Sequence, residues 1–416
     1  MTSTKVKSEE KDDDVTQEEV GAFHHTIEQI SPSTREKRKR DEEIPTEWPN
    51  KYKHIADGHR SLSTTAKKNV LTVPFWKDLN TRGISEEFHP KEVGRFSLLM
   101  EGEKQERFED KRCCRVYKYP LETRNVNLDL KVGLSDIVYD GHSKNLDSML
   151  WWISKHKEEI YQNNQFIFDF LSWRGALRSI MFTLHEKRSD WLLAVIKYKN
   201  AYFLCEYVTD IQLKEEQNMT SEARSFRYYG LKFEECVTKN DTTTETLNSL
   251  KKFIGVFQST IGSYRLLYGA EIDCATKKSS STTKHIELKV CAGNSLYDLP
   301  FDYNHKYARW WIQSFLAGIQ TMIIGFRDDN GIVNKVSPLN ISQIEKATRT
   351  WSRQAFFNFF TCFANFLKDN VTNEYSVDQK EVVLFSFSSS AHRITLEKSS
   401  DPKYHFIPDQ FIHEFN

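Results

Sequence analysis

The sequence predicts an α+β fold with mixed sheets, of a kind common among enzymes. Long helical patterns and strand-like runs are interspersed irregularly, and no internal repeat is present. Hydrophobic residues make up 39% and aromatic residues 13% of the 416 residues, enough for a sizeable core. Past residue 50 no stretch reads as a flexible linker, so residues 51–416 are expected to form a single domain.

Residues 1–50 hold ten apolar residues against 13 acids and 8 bases. That is too little apolar surface to offset the entropy of ordering, and a disordered charged tail is expected. Within it Arg35–Arg40 reads either as a solvated charge run or as a nuclear-import signal. Further on, apolar spacing predicts helices over Asn145–Lys157, Asn248–Tyr264, Tyr303–Ile319 and Ser342–Lys368. In the last, Ala347, Trp351, Ala355, Phe359, Phe363 and Leu367 recur every four residues as a core stripe. Strands are predicted over Trp191–Tyr198, Ala201–Tyr207, Leu266–Cys274, His285–Cys291 and Glu381–Phe387, the first two joined as a hairpin.

Several chemistries are excluded. The 58 basic residues equal the 58 acidic ones, which argues against indiscriminate, charge-driven binding of nucleic acid. Without the tail, 50 bases face 45 acids. The seven cysteines form no CxxC pair, against a zinc ribbon or disulfide framework. No apolar run reaches the length of about 18 residues that spans a membrane, and the amino terminus lacks a secretory h-region, so an intracellular chain without a membrane partner is expected. No glycine-rich phosphate loop or nucleophile elbow follows a strand.

The informative stretch is Tyr268-Gly-Ala-Glu-Ile-Asp-Cys274, a polar insertion, then His285-Ile-Glu-Leu-Lys-Val-Cys291. Strand alternation puts Glu271 and Asp273 on one face with Ile272 opposite, and Glu287 and Lys289 against Ile286, Leu288 and Val290. Paired as a hairpin, the two would converge three carboxylates and one ammonium. Crowded carboxylates repel each other unless a cation sits among them. Hard divalent ions such as Mg²⁺ or Mn²⁺ take such oxygen ligands and serve phosphate-ester chemistry. Any amphipathic surface strand can also read polar-apolar-polar.

These residues resemble the DXO-type decapping nuclease family, which includes the fungal partner of the nuclear 5′-to-3′ exonuclease. Glu271-Ile-Asp273 and Glu287-Leu-Lys289 are similar to its Glu-x-Asp and Glu-x-Lys motifs. Gly230-Leu-Lys-Phe-Glu234 is similar to its Gly-aromatic-x-x-Glu element, with Leu231 in place of the aromatic. Trp173-Arg-Gly175, Trp310 to Gly318, Gly325 to Gly331 and Asn127-Leu-Asp-Leu130 match further elements, in order.

The resemblance implies a single catalytic domain: two mixed or antiparallel β-sheets flanked by helices, with a two-metal nuclease-like site in a pocket between them. Glu271, Asp273 and Glu287 would ligate the ions, with Glu234 and the Leu288 carbonyl adding ligands. Lys289 and Gln313 would hold the attacking water, Glu234 would also border the substrate, and Arg174 would grip a phosphate, for which a guanidinium fork suits. Without the family, Arg174 reads as an ion-pair partner and Gln313 as a polar residue at a core edge; no histidine is assigned. Tyr228, Tyr229 and Trp173 are candidates for stacking a base. The implied activity is hydrolysis at RNA 5′ ends, whether capped, triphosphate, monophosphate or NAD-capped. The alternative is a protein that stabilises a partner 5′-to-3′ exonuclease.

Overall fold

The computed structural model describes residues 69–80, 88–101, 104–121, 123–134, 145–238, 251–276, 284–296, 299 and 305–416. All of them belong to one unit, Ser63–Asn416. The expected tail and its Arg35–Arg40 cluster lie outside the described residues.

The strands begin with β1 (Val70–Thr72), β2 (Lys91–Glu101), β3 (Lys104–Phe108), β4 (Thr123–Asp129), β5 (Tyr161–Gln162) and β6 (Gln165–Phe166). Next come β7 (Phe170–Trp173), β8 (Trp191–Tyr198), β9 (Ala201–Tyr207), β10 (Lys251–Ile261), β11 (Tyr264–Glu271) and β12 (Cys274–Ala275). The last are β13 (His285–Ala292), β14 (Thr321–Arg327), β15 (Ile332–Asn340), β16 (Val382–Ser388) and β17 (Arg393–Ser399). Six helices matter below: α1 (Asp147–Lys155), α2 (Arg174–Phe182), α3 (Ser221–Thr238), α4 (Lys306–Leu316), α5 (Ile341–Ala347) and α6 (Arg353–Asn370).

A ten-stranded sheet runs β1-β17-β16-β8-β9-β7-β11-β10-β2-β3, and a five-stranded sheet β12-β13-β14-β15-β4. Both are mixed, because β7 pairs parallel with β9 and β11, and β13 parallel with β14, while their other pairings are antiparallel. The large sheet is covered on both faces: α2, α4 and α6 carry the apolar cluster on one side, α1 packs on the other. The small sheet closes a third cluster with α3. The expected α+β architecture with two mixed sheets is therefore present.

The β8–β9 hairpin is as expected, and Lys199 and Asn200 at its tip have φ of 50° and 64°, the left-handed pair a two-residue I′ turn requires. Two other expectations fail. The helix expected over Asn248–Tyr264 is instead β10, up to the turn before Tyr264. Phe253 and Phe257 face one core and Ile254 and Val256 the other, so a strand buried on both sides mimics helical spacing. The helix expected over Ser342–Lys368 is two, α5 and α6, broken at Thr348–Ser352; there the Ser352 hydroxyl accepts from the Ala355 amide at 3.1 Å and caps α6.

The strand expected to run to Cys274 stops at Glu271, and the expected hairpin with the next strand shrinks to two register pairs, Cys274 with Ile286 and Ala275 with His285. Between Glu271 and Cys274 the chain leaves the large sheet and joins the small one. That switch brings the two motifs together.

Candidate active site

Glu287 sits on β13 with Ile286 and Leu288 buried in the third core beneath it, as alternation requires. Its side chain has no exposed surface. Oε1 accepts from Lys289 Nζ and from Gln313 Nε2 on α4, and Oε2 lies 3.5 Å from the Arg174 guanidinium. Burial drives this carboxyl up, but Lys289, Arg174 and Arg178 outweigh burial and hold it below the usual range. Burial likewise lowers the Lys289 ammonium, and the charges of Glu287 and Asp273 reverse that and raise it.

Arg174 begins α2 directly after β7; it also donates to the Gln313 carbonyl oxygen at 3.2 Å, which ties α2 to α4. β7 sits close against β11 because residue 269 is glycine: a Cβ there would fall 2.5 Å from the Trp173 ring.

Asp273, in the segment that changes sheets, accepts from the Leu288 amide at 2.8 Å. Burial first and the Glu287 charge second push its carboxyl up to about 7. Glu234 rises too, by burial and then by the charges of Asp273 and Glu271, with Arg115 opposing. Arg115 lies 3.2 Å from Glu234. Glu271, half exposed, has Lys252 at 3.9 Å.

Glu234 faces this cluster because Tyr229, Phe233 and Val237 bury the adjoining stripe of α3. Its neighbour Glu235 turns away and pairs with Lys232 at 2.7 Å. The helix lies close to the small sheet at Gly325, where a Cβ would meet the Phe233 ring at 2.6 Å.

Asp273, Glu287, Lys289, Gln313 and Arg174 are thus linked by direct contacts or one another's charge, the Leu288 backbone joins them, and Glu234 and Glu271 border them. Among the described residues no three Asp, Glu, His or Cys side chains are drawn together tightly enough to hold a metal ion as they stand. The donor set fits a hard divalent cation nonetheless. Every candidate ligand is oxygen, Glu287 Oε2 is buried without a hydrogen-bond partner, and Asp273 and Glu234 have raised pKa values that an added cation would lower. In this arrangement Lys289, Arg174 and Arg115 neutralise the acids.

Of the aromatic candidates, Tyr228 and Tyr229 are buried packing residues, and only Trp173 keeps partial exposure. His285, at the start of β13, pairs with Glu92 at 3.9 Å and makes no contact with Glu287 among the described interactions. Burial pushes the Cys274 and Cys291 thiols up, which suits inert fillers. Sequence reasoning missed Arg115 and Arg178. Arg178 follows Arg174 by one helical turn and was open to detection by spacing; Arg115 lies 119 residues before Glu234, in an irregular segment, and carries no such signal.

Comparison with known proteins finds relatives that span the described fold. The chain is 29% identical over 357 residues to the "Decapping and exoribonuclease protein" of Xenopus laevis, covering 79% of this chain and 86% of that one. Candida albicans Rai1 in complex with pU5-Mn²⁺ superposes with a TM-score of 0.67 at 18% identity, covering 83% of this chain and 98% of that one. Scheffersomyces stipitis Rai1 in complex with (3′-NADP)⁺ and calcium ion gives 0.66 at 19% identity, with 83% and 97% covered. The family model for the RAI1-like PD-(D/E)XK nuclease matches residues 88–412, nearly all of the described fold and every site residue above. The chain belongs to the RAI1-like PD-(D/E)XK nuclease family.

Proposed function

We propose that this protein is a divalent-metal-dependent hydrolase of RNA 5′ ends that releases a cap fragment, pyrophosphate or nucleotide. The observation that carries the reading is Glu287, fully buried and shared by Lys289, Gln313 and Arg174 beside a second, half-buried acid, Asp273. A fold that places so many charges in one buried spot without function is disfavoured, since desolvation exceeds what surface pairs return. The names of the relatives and the pU5-Mn²⁺ complex of Candida albicans Rai1 support RNA and Mn²⁺ as the class of substrate and cofactor.

Glu271, Asp273 and Glu287, with Glu234 and the Leu288 carbonyl, would hold Mg²⁺ or Mn²⁺, two ions by the family resemblance. When bound, the metal supplies charge neutralisation and a more acidic water for in-line attack on phosphorus. Lys289 Nζ and the Gln313 amide, both donating to Glu287, are the groups that would orient the attacking water. Arg174 meets a non-bridging phosphate oxygen, exchanging its 3.5 Å contact with Glu287 for a charge-assisted bond. The family's other role, stimulation of a 5′-to-3′ exonuclease, is the second reading; nuclear residence, from Arg35–Arg40, is proposed with it and is rejected if the tagged chain stays cytoplasmic.

The deciding experiment incubates wild type and the Glu271→Ala/Asp273→Ala variant with 5′-labelled RNAs bearing cap, triphosphate, monophosphate or NAD ends, in Mg²⁺ or Mn²⁺. Wild type is expected to release label from at least one end and the variant from none. Equal release by both removes the site, and no release by either leaves only the partner role.

A further inference from the structure

Lys111-Arg-Cys-Cys-Arg-Val-Tyr-Lys118 holds four bases and no acid, a run that the site described above does not absorb. Its second half is tied to the segments that carry two of the site acids. The Ala275 amide, just past Asp273, donates to the Arg115 carbonyl at 2.9 Å, and the Lys118 amide donates at 3.0 Å to the Val237 carbonyl on α3, just past Glu234. Its first half is a turn hung on β2, where Ser97 Oγ donates to the Asp110 carbonyl at 2.9 Å and accepts from the Cys113 amide at 3.1 Å. Ser97 follows Phe96, which pairs with Ile254, and Ile254 pairs with Glu271, so the turn hangs two strands across from Glu271.

The bases of the run are engaged unequally. Arg112 pairs with Asp110 at 2.7 Å and lies 3.5 Å from the centre of the Phe108 ring, and Arg115 reaches Glu234. Lys111 is exposed, and among the described residues its ammonium pairs with no carboxylate. Arg95 on β2, paired with Glu92 at 3.0 Å, and Lys252 on β10, 3.9 Å from Glu271, add positive charge to the same side of the site. That side is the open one: the Glu271 side chain is 49% exposed, against 0% for Glu287 and 9% for Arg174. A charge run that only solvates a surface needs no such anchoring beside a cleft.

We propose that Lys111 binds a phosphate of the RNA strand that trails from the site, so that Lys111–Arg115 forms a basic rail for nucleotides 3′ of the reacting end. The inference rests on the RNA 5′-end reading above and adds a preference for strands over dinucleotides. Lys111 is the outer contact because Arg115 is taken up by Glu234 and Arg112 by Asp110. An ammonium on an exposed turn meets the backbone and carries no base preference.

The test uses the full chain as wild type, Lys111→Gln, Lys111→Arg and Lys398→Gln; Lys398 lies on β17, toward the opposite edge of the large sheet from β2. A decauridylate with a 5′-hydroxyl and a 3′-fluorescein is titrated by anisotropy over a range of KCl concentrations. KM and kcat are measured on a decamer and a dinucleotide that share the 5′ end wild type releases best. Lys111→Gln is expected to weaken decamer binding and raise decamer KM about fivefold, the size of one exposed charge contact. Its salt slope should be shallower by about 0.7, the value for one phosphate of a single strand. The dinucleotide KM and both kcat values should stay within about twofold, with Lys111→Arg and Lys398→Gln close to wild type, since a phosphate contact needs only the charge. A decamer that wild type does not bind, an unchanged salt slope, or equal losses on both lengths overturns the proposal and leaves a solvated charge run. If wild type cleaves no RNA, the 5′-end reading fails by itself, and the anisotropy still decides whether Lys111 binds RNA.

Discussion

Glu234 and Glu235 are adjacent acids with opposite surroundings, one turned toward Asp273 and Arg115, the other paired outward with Lys232. Glu234→Ala should lower activity about a hundredfold, as removal of an outer metal-site residue does, and Glu235→Ala should change it less than twofold. Steady-state rates on the best 5′ end check this, and equal losses would place both acids outside the chemistry. A metal titration tests the whole carboxylate set. At a Mn²⁺ concentration of about 100 times Kd, wild type should gain roughly 2.7 kcal/mol of stability, read as a rise in Tm that Glu271→Ala/Asp273→Ala lacks. Strand alternation alone identified Glu271, Asp273, Glu287 and Lys289 as polar positions over an apolar underside, and the resemblance added Glu234, Arg174 and Gln313. Arg115 was illegible because its contact with Glu234 spans distant, irregular sequence, and the pairing of Arg174 with Glu287 depends on how α2 meets β13.

Elements were legible where turn residues bound them. β8 and β9 are buried on both faces, but the Lys199-Asn200 turn sets off two apolar runs of strand length, and their ends fall where the sequence puts them. β10 was misread because both of its faces are covered: alternation in polarity disappears when every side chain is buried, leaving only β-branched content to mark a strand. The break between α5 and α6 went unseen because Trp351 continues the apolar stripe from outside any helix and still reaches the core. The contact of α3 with the small sheet is a similar long-range matter. Gly325→Val should press a side chain into the Phe233 ring, now 2.6 Å from the position of a Cβ. The expected cost is about 1–3 kcal/mol in urea denaturation, the range for overpacking, together with reduced activity as Glu234 shifts with the helix. Gly230→Ala, on the same helix with no atom within 4 Å of its Cβ position, is the control and should cost nothing, since alanine also favours helix. Equal stability of the two variants would mean that α3 is not held at Gly325.

At the scale of the molecule, zero net charge says little, because burial sets how each group titrates. One consequence reaches stability. His185 lies in the short helical turn after α2, with His305 before α4 at a ring distance of 4.6 Å, and with Phe356 of α6 against it. Burial, then the charges of His305, Lys187 and His392, lower its pKa from 6.5 to about 3. Burial also lowers His305 and His392. A depressed pKa means that the unfolded chain takes up protons the native state refuses. Stability from these groups is therefore complete above about pH 6.5 and declines as pH falls from there toward about 3, by up to ~1.4 kcal/mol per pH unit for each histidine. Raised carboxyls, Asp273 and Glu234, act in the opposite sense over the whole span from about pH 7 to about pH 4, and the three lowered histidines outnumber them there. Urea denaturation of wild type between pH 6 and 4.5 should accordingly show a falling midpoint. His185→Phe keeps an aromatic ring against Trp76, Phe182 and Phe356 and removes one titrating group; its stability at pH 7.5 should match or exceed wild type, since the His185 Nε2 is buried without a partner. Below pH 6 its slope should be shallower by about one proton, and an unchanged slope would show that His185 is protonated in the folded chain, so that the acid sensitivity of the fold has another source.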